Sequence, residues 1–562
     1  MTTLATRSLW PTLAAMVLSI AALPAAAQNQ LWIDQFGTSA ADWAFASAAD
    51  GTGGVFVGGM TVGDLGSPNA GGSDAWLTRY DGTGNQLWTR QFGSNANENL
   101  YTATPDGVGG VYTAGSTLGS LGTPSAGGWD GWLASYDSAG QRNWMWQFGT
   151  EAHDIAYASA PDSSDGVYVA GSTVGNLGGH YLGGGGDAWL ARFDKAGNQL
   201  WIRQLGTSSY DAAYAAAPDG TGGLYVGGRT DGSLSGANVG GWDAWLARYD
   251  NSGNQLWLRQ LGTNSAEYLQ DVSPDDSGGV YVSGATEGEL GGPSAGTWDA
   301  WVARYDRAGN QLWIRQQGTS DADFGGPALP DGSGGVYASG STRGDLGGPN
   351  AGDFDVWLAR YDGAGNKLWI LQLGTDAADY TYIMEPDGTG GMHVGGLTAG
   401  SLGGLNAGDY DAWLARYEDP CGVYLNYCTA KPNSLNCSPS IATSGMPSAS
   451  AGSGFTVSVT NVLDKQFGLF FYSRSGPAST PFQGGTLCVM PPVVRTPVHN
   501  SGGAPPCDGV FAIDFNAYVA SGADPALVAG QQVWIQNWSR DPGFAPPNNT
   551  SLSDALSFTL CP

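Results

Sequence analysis

The chain has little positive charge and almost no histidine. Its 562 residues include 22 Lys and Arg against 50 Asp and Glu, a formal net charge of -28, and only 4 His. Such a surface repels nucleic-acid phosphates and anionic membranes, so neither is expected as a partner. The sequence also lacks a GxSxG elbow, an HExxH pair, a phosphate-binding loop and a DxDxDG calcium loop. We therefore predict no catalytic constellation, metal site or cofactor, beyond loosely bound calcium.

Cysteine is absent before residue 421, and long apolar runs are absent after residue 27. Residues 1–27 have the pattern of a secretory signal, with Arg7 before an apolar core and small residues at Ala25–Ala27. No later run approaches a membrane span. We therefore expect a protein that is secreted or held at the outer cell surface. Its cysteines are then expected to form three disulfides, with Cys488–Cys507 the favoured pair. The six are Cys421, Cys428, Cys437, Cys488, Cys507 and Cys561.

A repeat fills most of the chain. Seven copies follow one another at a spacing of 56 residues, with a single spacing of 57, and two tryptophan markers recur in step. A fixed period of this kind indicates a repeat architecture. The first marker is at Trp32, Trp88, Trp144, Trp201, Trp257, Trp313 and Trp369, and the second is at Trp76, Trp132, Trp189, Trp245, Trp301, Trp357 and Trp413.

Each copy carries four short strand patterns and no helical one. In the fourth copy, strands are predicted over 212–217, 223–230, 243–250 and 254–261, bounded by Gly, Asp and Asn that suit tight hairpins. Four antiparallel strands set radially make a propeller blade. Because the first strand holds mainly small residues, as in Ala212–Ala217, we expect it to lie innermost.

The first and last repeats are out of phase with each other. Leu31–Phe36 is an outer strand with no blade of its own before it, and the seventh copy ends at Tyr417 after three strands. Pairing of Leu31–Phe36 with Asp411–Tyr417 would remove both open edges. The prediction for residues 28–419 is an all-β, seven-bladed β-propeller of four-stranded blades, with its ring closed by the N-terminal strand.

The run PDGTGGVYVGGxT…DAWLARYDxxGNQLW resembles the bacterial β-propeller repeat of secreted and cell-surface proteins. The resemblance covers residues 29–417 and implies the fold, but the repeat family has no shared activity. The hairpin from Asp81 to Trp88 is also similar to the tryptophan-docking repeat of quinoprotein propellers. Here Gly84 and Trp88 each come one residue earlier than in that repeat, and we interpret the match as shared hairpin chemistry.

Residues 420–562 lose the repeat and gain Pro, Ser and Cys. Their strand patterns predict a disulfide-bonded, β-sandwich-like domain, in which Trp534 and Trp538 face one side and pack in a core. The segments VWIQNWSRDP and SLSDALSFTLCP resemble a C-terminal module of exported proteins from environmental bacteria, which implies an accessory unit. Strands are predicted over 455–462, 467–473, 485–490, 510–515, 532–538 and 555–560.

Charged residues that recur in every blade are interpreted as structural. Two carboxylates per repeat, such as Asp211 and Asp243, are expected to accept backbone N–H bonds, since ligand sites are few whereas folding devices repeat. An Arg in the third strand, such as Arg248, is expected to pair with a neighbouring Asp.

Function on the propeller is expected where the repeats differ. The position after the second-strand Thr holds Asp231, Glu287 and Arg343 in copies four to six, but apolar residues in the others. Gln270 and Asp271 interrupt the inner strand of copy five, and 325–327 is Gly-Gly-Pro in copy six. If the propeller binds a ligand, we predict that these five charged and amide residues form a polar site for it at the channel mouth. The alternative, which we favour, is random variation at exposed loops.

Three functions fit these patterns. We favour an exported binding or scaffold protein that presents a propeller face. The alternatives are an extracellular enzyme that acts on polysaccharide at that face, and a structural component of a matrix or surface. The sequence does not name the ligand; a polysaccharide and a surface protein are the partners considered.

Overall fold

A computed structural model describes residues 29–275, 277–418, 424–504, 506–528 and 531–561. The predicted signal segment and Cys421 lie outside these ranges. Within them the chain is almost entirely β, with one short helix, α1, at Phe515–Ala520. None of the described helical structure is long and apolar enough to cross a membrane.

Residues 29–418 form seven four-stranded antiparallel sheets of the propeller-blade type, numbered here as blades one to seven. Blade one has β2 (Asp42–Ala49), β3 (Val55–Thr61), β4 (Asp74–Tyr80) and β5 (Gln86–Phe92); blade two has β6 (Glu98–Pro105), β7 (Val111–Thr117), β8 (Asp130–Tyr136) and β9 (Arg142–Phe148); blade three has β10 (Asp154–Pro161), β11 (Val167–Thr173), β12 (Asp187–Phe193) and β13 (Gln199–Leu205); blade four has β14 (Asp211–Pro218), β15 (Leu224–Thr230), β16 (Asp243–Tyr249) and β17 (Gln255–Leu261). Blade five has β18 (Glu267–Pro274), β19 (Val280–Thr286), β20 (Asp299–Tyr305) and β21 (Gln311–Gln317); blade six has β22 (Asp323–Pro330), β23 (Val336–Thr342), β24 (Asp355–Tyr361) and β25 (Lys367–Leu373); blade seven has β26 (Asp379–Pro386), β27 (Met392–Thr398), β28 (Asp411–Glu418) and β1 (Asn29–Phe36).

The N-terminal strand completes blade seven, as predicted. β1 pairs antiparallel with β28, from Asn29 opposite Glu418 to Phe36 opposite Ala412. The first strand of each blade contacts the first strand of the next, and β26 in turn contacts β2. The pairing satisfies backbone groups that both strands would otherwise expose.

Tryptophans hold neighbouring blades together in two ways. The second marker is fully buried in every blade, as at Trp245. The first marker docks on the next blade: the Trp257 indole donates to the Arg307 carbonyl at 3.0 Å, and its ring covers Gly309. A Cβ on Gly309 would lie 2.9 Å from that ring. The hairpin motif is therefore a docking contact between blades, which corrects our interpretation of it as hairpin chemistry alone.

The first-marker tryptophans differ in burial from blade to blade. Trp313 is buried, whereas Trp88, Trp201 and Trp257 are half-buried. Each of the three still covers a glycine in the hairpin of the next blade, as Trp313 covers Gly365.

The repeated carboxylates serve the fold. Asp211 is fully buried and accepts the Thr207 N–H at 2.6 Å and the Thr230 hydroxyl at 2.5 Å. Asp299 accepts the Ala295 N–H at 2.8 Å and the Gln316 amide at 2.7 Å. Such bonds fix the long connections between strands.

The third-strand arginines also have structural partners. Arg248 forms an ion pair with Asp219 at 2.7 Å, and the Asp219 carboxylate also accepts the N–H groups of Thr221 and Gly223 in its own hairpin. The same pair recurs at Arg79–Asp50, Arg192–Asp162, Arg304–Asp275, Arg360–Asp331 and Arg416–Asp387.

The C-terminal residues form two sheets that share one hydrophobic core, with a separate hairpin. Trp534 and Trp538 are half-buried in a second cluster, on the other side of the larger sheet. The larger sheet has β29 (Leu425–Tyr427), β39 (Thr550–Thr559), β38 (Gln532–Arg540), β32 (Phe467–Ser473), β35 (Val494–Arg495) and β36 (His499–Asn500); the smaller has β30 (Ser440–Ser444), β31 (Thr456–Val462) and β37 (Gly509–Asp514); the hairpin has β33 (Pro477–Phe482) and β34 (Gly485–Val489).

Two disulfides join Cys428 to Cys488 and Cys437 to Cys507. The predicted pair Cys488–Cys507 is therefore wrong. Cys488 lies on β34 of the hairpin, against the end of β29, whereas Cys507 lies just before β37 of the smaller sheet. Cys561 is buried and has no disulfide partner among the described residues.

Candidate ligand site at the mouth of the central cavity

One cavity of about 350 Å³ is lined by the first strands of all seven blades. Its wall is mostly Ala, Ser, Thr and Pro, in keeping with the small residues of these strands. None of the described residues that line it is Lys or Arg, but two are acidic, Asp271 from blade five and Glu385 from blade seven.

The two acids are held in unusual surroundings. Asp271 accepts the Ala328 N–H at 2.8 Å, and Glu385 accepts the Ser47 hydroxyl at 3.1 Å. Burial raises the pKa of Asp271 to about 7. Burial, together with the nearby charge of Asp271, raises the pKa of Glu385 to about 7. No cation compensates either carboxylate within the cavity wall, so each favours its protonated form.

An incomplete ring of aromatic side chains surrounds the mouth of this cavity. One residue per first strand bulges out of the ladder, as Phe45 does between Ala44 and Ala46. Consecutive rings lie 5.3 to 5.9 Å apart, and the series stops where blade five has Gln270 and blade six has Gly326. The five rings, which we call the collar, are Tyr382, Phe45, Tyr101, Tyr157 and Tyr214.

The gap in the collar opens into a pocket of about 320 Å³ over blade six, which we call the blade-six pocket. The β22 strand is irregular between Gly325 and Ala328, and a Cβ on Gly325 would lie 2.3 Å from the Gly284 carbonyl oxygen. Glycine thus lets this backbone lie close to blade five, and no side chain fills the space. Five rings line the pocket, those of Tyr268, Phe324, Phe354, Tyr380 and Tyr382, together with Gln270.

Three of these rings, Phe324, Phe354 and Tyr380, belong to a longer row that crosses blades four to seven, which we call the aromatic row. It runs from Trp242 through Trp298, Phe324 and Phe354 to Tyr380, with centroid separations of 6.3, 5.9, 5.8 and 5.2 Å. Each ring is tilted by 31 to 40° from the next. All are half-buried except Phe354, which is buried.

Two arginines lie beside the row. Arg229 lies 3.9 Å over the Trp242 ring and 4.7 Å over the Tyr210 ring, with Asp231 3.9 Å from its Nε. Burial raises the pKa of the Asp231 carboxyl, and the Arg229 charge opposes that rise. Arg229 lines a further cavity, of about 380 Å³, within the collar.

The second arginine is Arg343. It lies 4.4 Å over the Phe354 ring and forms an ion pair of 2.7 Å with Asp353. Each arginine therefore has its own acidic neighbour and its own aromatic ring, and this edge of the site carries no net charge from the two pairs.

Three of the five residues predicted from sequence follow the second strands of blades four to six, and the other two lie on the first strand of blade five. Asp231, Glu287 and Arg343 occupy one repeat position, since their N–H groups bond to equivalent carbonyls in the preceding loop. None of these three residues lines any of the cavities described above, and Glu287 is exposed. Gln270 borders all three of them, whereas Asp271 lines only the central one.

Sequence reasoning missed Arg229, Glu385 and the aromatic row. A signal for the first two was present, because no other blade has Arg or Glu at their repeat positions. Within the described residues, no group of three or more His, Cys, Asp or Glu side chains could hold a metal ion.

No protein-family model matches this chain. A segment of 169 residues is 31% identical to the regulatory protein FlaEY of Caulobacter vibrioides, and it covers 27% of this chain but only 18% of that protein. Similar solved structures include Sqt1 from Chaetomium thermophilum, at 13% identity and a TM-score of 0.35, covering 68% of this chain and 86% of Sqt1. A puromycin hydrolase has 13% identity and a TM-score of 0.40, over 75% of this chain and 58% of that one. The rhamnogalacturonan lyase YesW has 13% identity and a TM-score of 0.30, over 70% and 75%.

Proposed function

We propose that the chain is an exported binding protein whose blades form a closed seven-bladed propeller, with a ligand held at the mouth over blades four to seven. The observation that carries the proposal is the blade-six pocket. Blade six has Gly326 where five other blades have an aromatic ring, and the space is bordered by rings and by the Gln270 amide. A concave site with many apolar walls and few polar groups is the usual form of a ligand pocket.

Export and the accessory role of the C-terminal domain are part of the same proposal. Two disulfides support an oxidising compartment for this domain. The formal charge of -28 keeps such a protein soluble and away from anionic surfaces.

The test is a binding screen of the full chain against oligosaccharides, peptides and small ammonium compounds, followed by variants. We expect Arg229→Ala and Gln270→Ala, at residues that line the cavities of the mouth, to weaken binding of a hit with little change in melting temperature. Asp299→Ala is expected to lower the melting temperature, because its carboxylate bonds to Ala295 and Gln316 inside the fold. A hit whose affinity is unaffected by Arg229→Ala and Gln270→Ala together would move the site elsewhere.

A second candidate function is hydrolysis or elimination on a polysaccharide, and the pair Asp271 and Glu385 favours it. A carboxyl group with a pKa near 7 suits a general acid. Release of reducing ends from a polysaccharide panel, lost in both Asp271→Asn and Glu385→Gln, would establish this activity. Turnover that survives both changes would exclude these acids from it.

A further inference from the structure

We infer that the blade-six pocket is a subsite for one pyranose ring of an uncharged polysaccharide, and that the aromatic row takes neighbouring sugars. This inference names the ligand class of the proposed binding function and rests on it. Its evidence is the chemistry of the pocket wall, the balance of charge along the rim and the length of the row.

The pocket wall matches the two kinds of surface on a pyranose ring. A pyranose has apolar C–H faces and hydroxyl groups around its edge. The rings of Phe324, Tyr380 and Tyr382 provide flat apolar surface at the pocket. Gln270 borders the same space, and its amide has no hydrogen-bond partner among the described residues. Because an amide both donates and accepts, it suits a hydroxyl group better than it suits a group that only donates or only accepts.

The balance of charge disfavours an ionic ligand. The arginines beside the row are each next to a carboxylate, Arg343 with Asp353 and Arg229 with Asp231. An anionic sugar would have to compete with those carboxylates, and a cation would have to lie near two guanidinium groups. A neutral ligand meets neither cost.

The length of the row favours a chain over a single small molecule. Five rings follow one another from Trp242 to Tyr380, in four steps of 5.2 to 6.3 Å. The row extends well past the pocket, onto blades four and five. A ligand of one ring would use only the pocket, whereas an oligosaccharide would also cover Trp298 and Trp242.

The experiment starts with a glycan array probed with the full chain, followed by calorimetric titration of the strongest neutral hit at lengths of one to six sugars. We expect affinity to rise with length until the row is covered. Tyr380→Ala and Trp298→Ala should each weaken binding by about tenfold, the scale of losing one aromatic stacking partner. Gln270→Ala provides a third variant, in case loss of a large ring disturbs folding.

Trp129→Ala is the matched control. Trp129 precedes Asp130 in blade two as Trp298 precedes Asp299 in blade five. The backbone carbonyl of each tryptophan accepts an N–H from the next blade. Trp129 lines none of the three cavities at the mouth. We expect this variant to bind like the original chain, and an equal loss in Trp129→Ala would overturn the assignment of the row.

The competing ligands separate this inference from the proposed function. If tetramethylammonium chloride or a peptide binds, no glycan does, and Tyr380→Ala weakens that binding, the binding function stands and the pyranose assignment is wrong. If a glycan binds equally well to Tyr380→Ala, Trp298→Ala and Gln270→Ala, the subsite is wrong. If no compound of any class binds, both proposals fail.

Discussion

Replacing Asp271 with Asn is expected to stabilise the protein in neutral and alkaline solution, and to do little in acid. The Asp271 carboxyl lies in the central cavity without a cation and shares that cavity with Glu385. Asn has almost the same shape, and its side-chain oxygen can still accept the Ala328 N–H that Asp271 accepts at 2.8 Å. The change therefore removes the charge and keeps the hydrogen bond.

The magnitude follows from the difference between the folded and unfolded pKa. Burial raises the pKa of Asp271 from 3.8 to about 7. A raised folded pKa contributes stability that is fully present below pH 3.8 and is lost as the pH rises through 7. Roughly three pKa units at 1.36 kcal/mol each set an upper bound of about 4 kcal/mol. Since water in the cavity relaxes around the ionised group, we expect Asn to recover about 2 kcal/mol at pH 8.

The assay is urea unfolding of the full chain at pH 4 and pH 8. Because the chain has a net charge of -28, removal of any carboxylate could stabilise it, so the control is Asp321→Asn, which removes an exposed charge. Glu385→Gln should resemble Asp271→Asn, and the double variant should gain less than the sum, because the two charges raise each other's cost. Equal gains at both pH values, or a gain no larger than that of Asp321→Asn, would refute the reasoning.

Three further predictions concern stability and covalent structure. Burial lowers the pKa of His393 from 6.5 to about 4. The free energy of unfolding should therefore fall, by up to about 3 kcal/mol, as the pH is lowered from 6.5 to 4 and the unfolded chain takes up the proton. His393→Tyr should flatten this pH dependence. Gly309→Ala should lower the melting temperature, because the new methyl group meets the Trp257 ring and the φ of 78° disfavours Ala; an unchanged melting temperature would contradict the docking contact. Non-reducing mass spectrometry should find a third disulfide, Cys421–Cys561, because the other four cysteines are already paired and an exported chain rarely keeps free thiols; two free thiols there would contradict it.

The blades could be predicted closely because their signals are local. The alternation and turn residues of the fourth copy predict strands over 212–217 and 243–250, and the structure has Asp211–Pro218 and Asp243–Tyr249. The pairing of β1 with β28 followed from counting strands, since an unpaired strand at each end is costly. The predicted C-terminal strands are close to the observed ones because their sequence signals are local as well.

The disulfides and the site could not be predicted in the same way. A disulfide depends on which segments meet in space: Cys488 lies on β34, whereas Cys507 lies in the turn before β37, although the two are near in sequence. The aromatic row combines Trp298 from a loop with Phe324 and Tyr380 from two first strands. Each ring alone looks like ordinary variation of the repeat, and only the packing of adjacent blades brings them together.

The repeat itself argues for a single asymmetric site. A ligand that recognised the repeat would find seven equivalent positions, but the repeated carboxylates already bond to groups within the fold, as Asp211 and Asp299 do. What remains for binding is the set of positions where one blade differs from the others. Arg229, Gln270 and Gly326 are three such positions, and they lie in adjacent blades and border the proposed site, as a shared ligand requires.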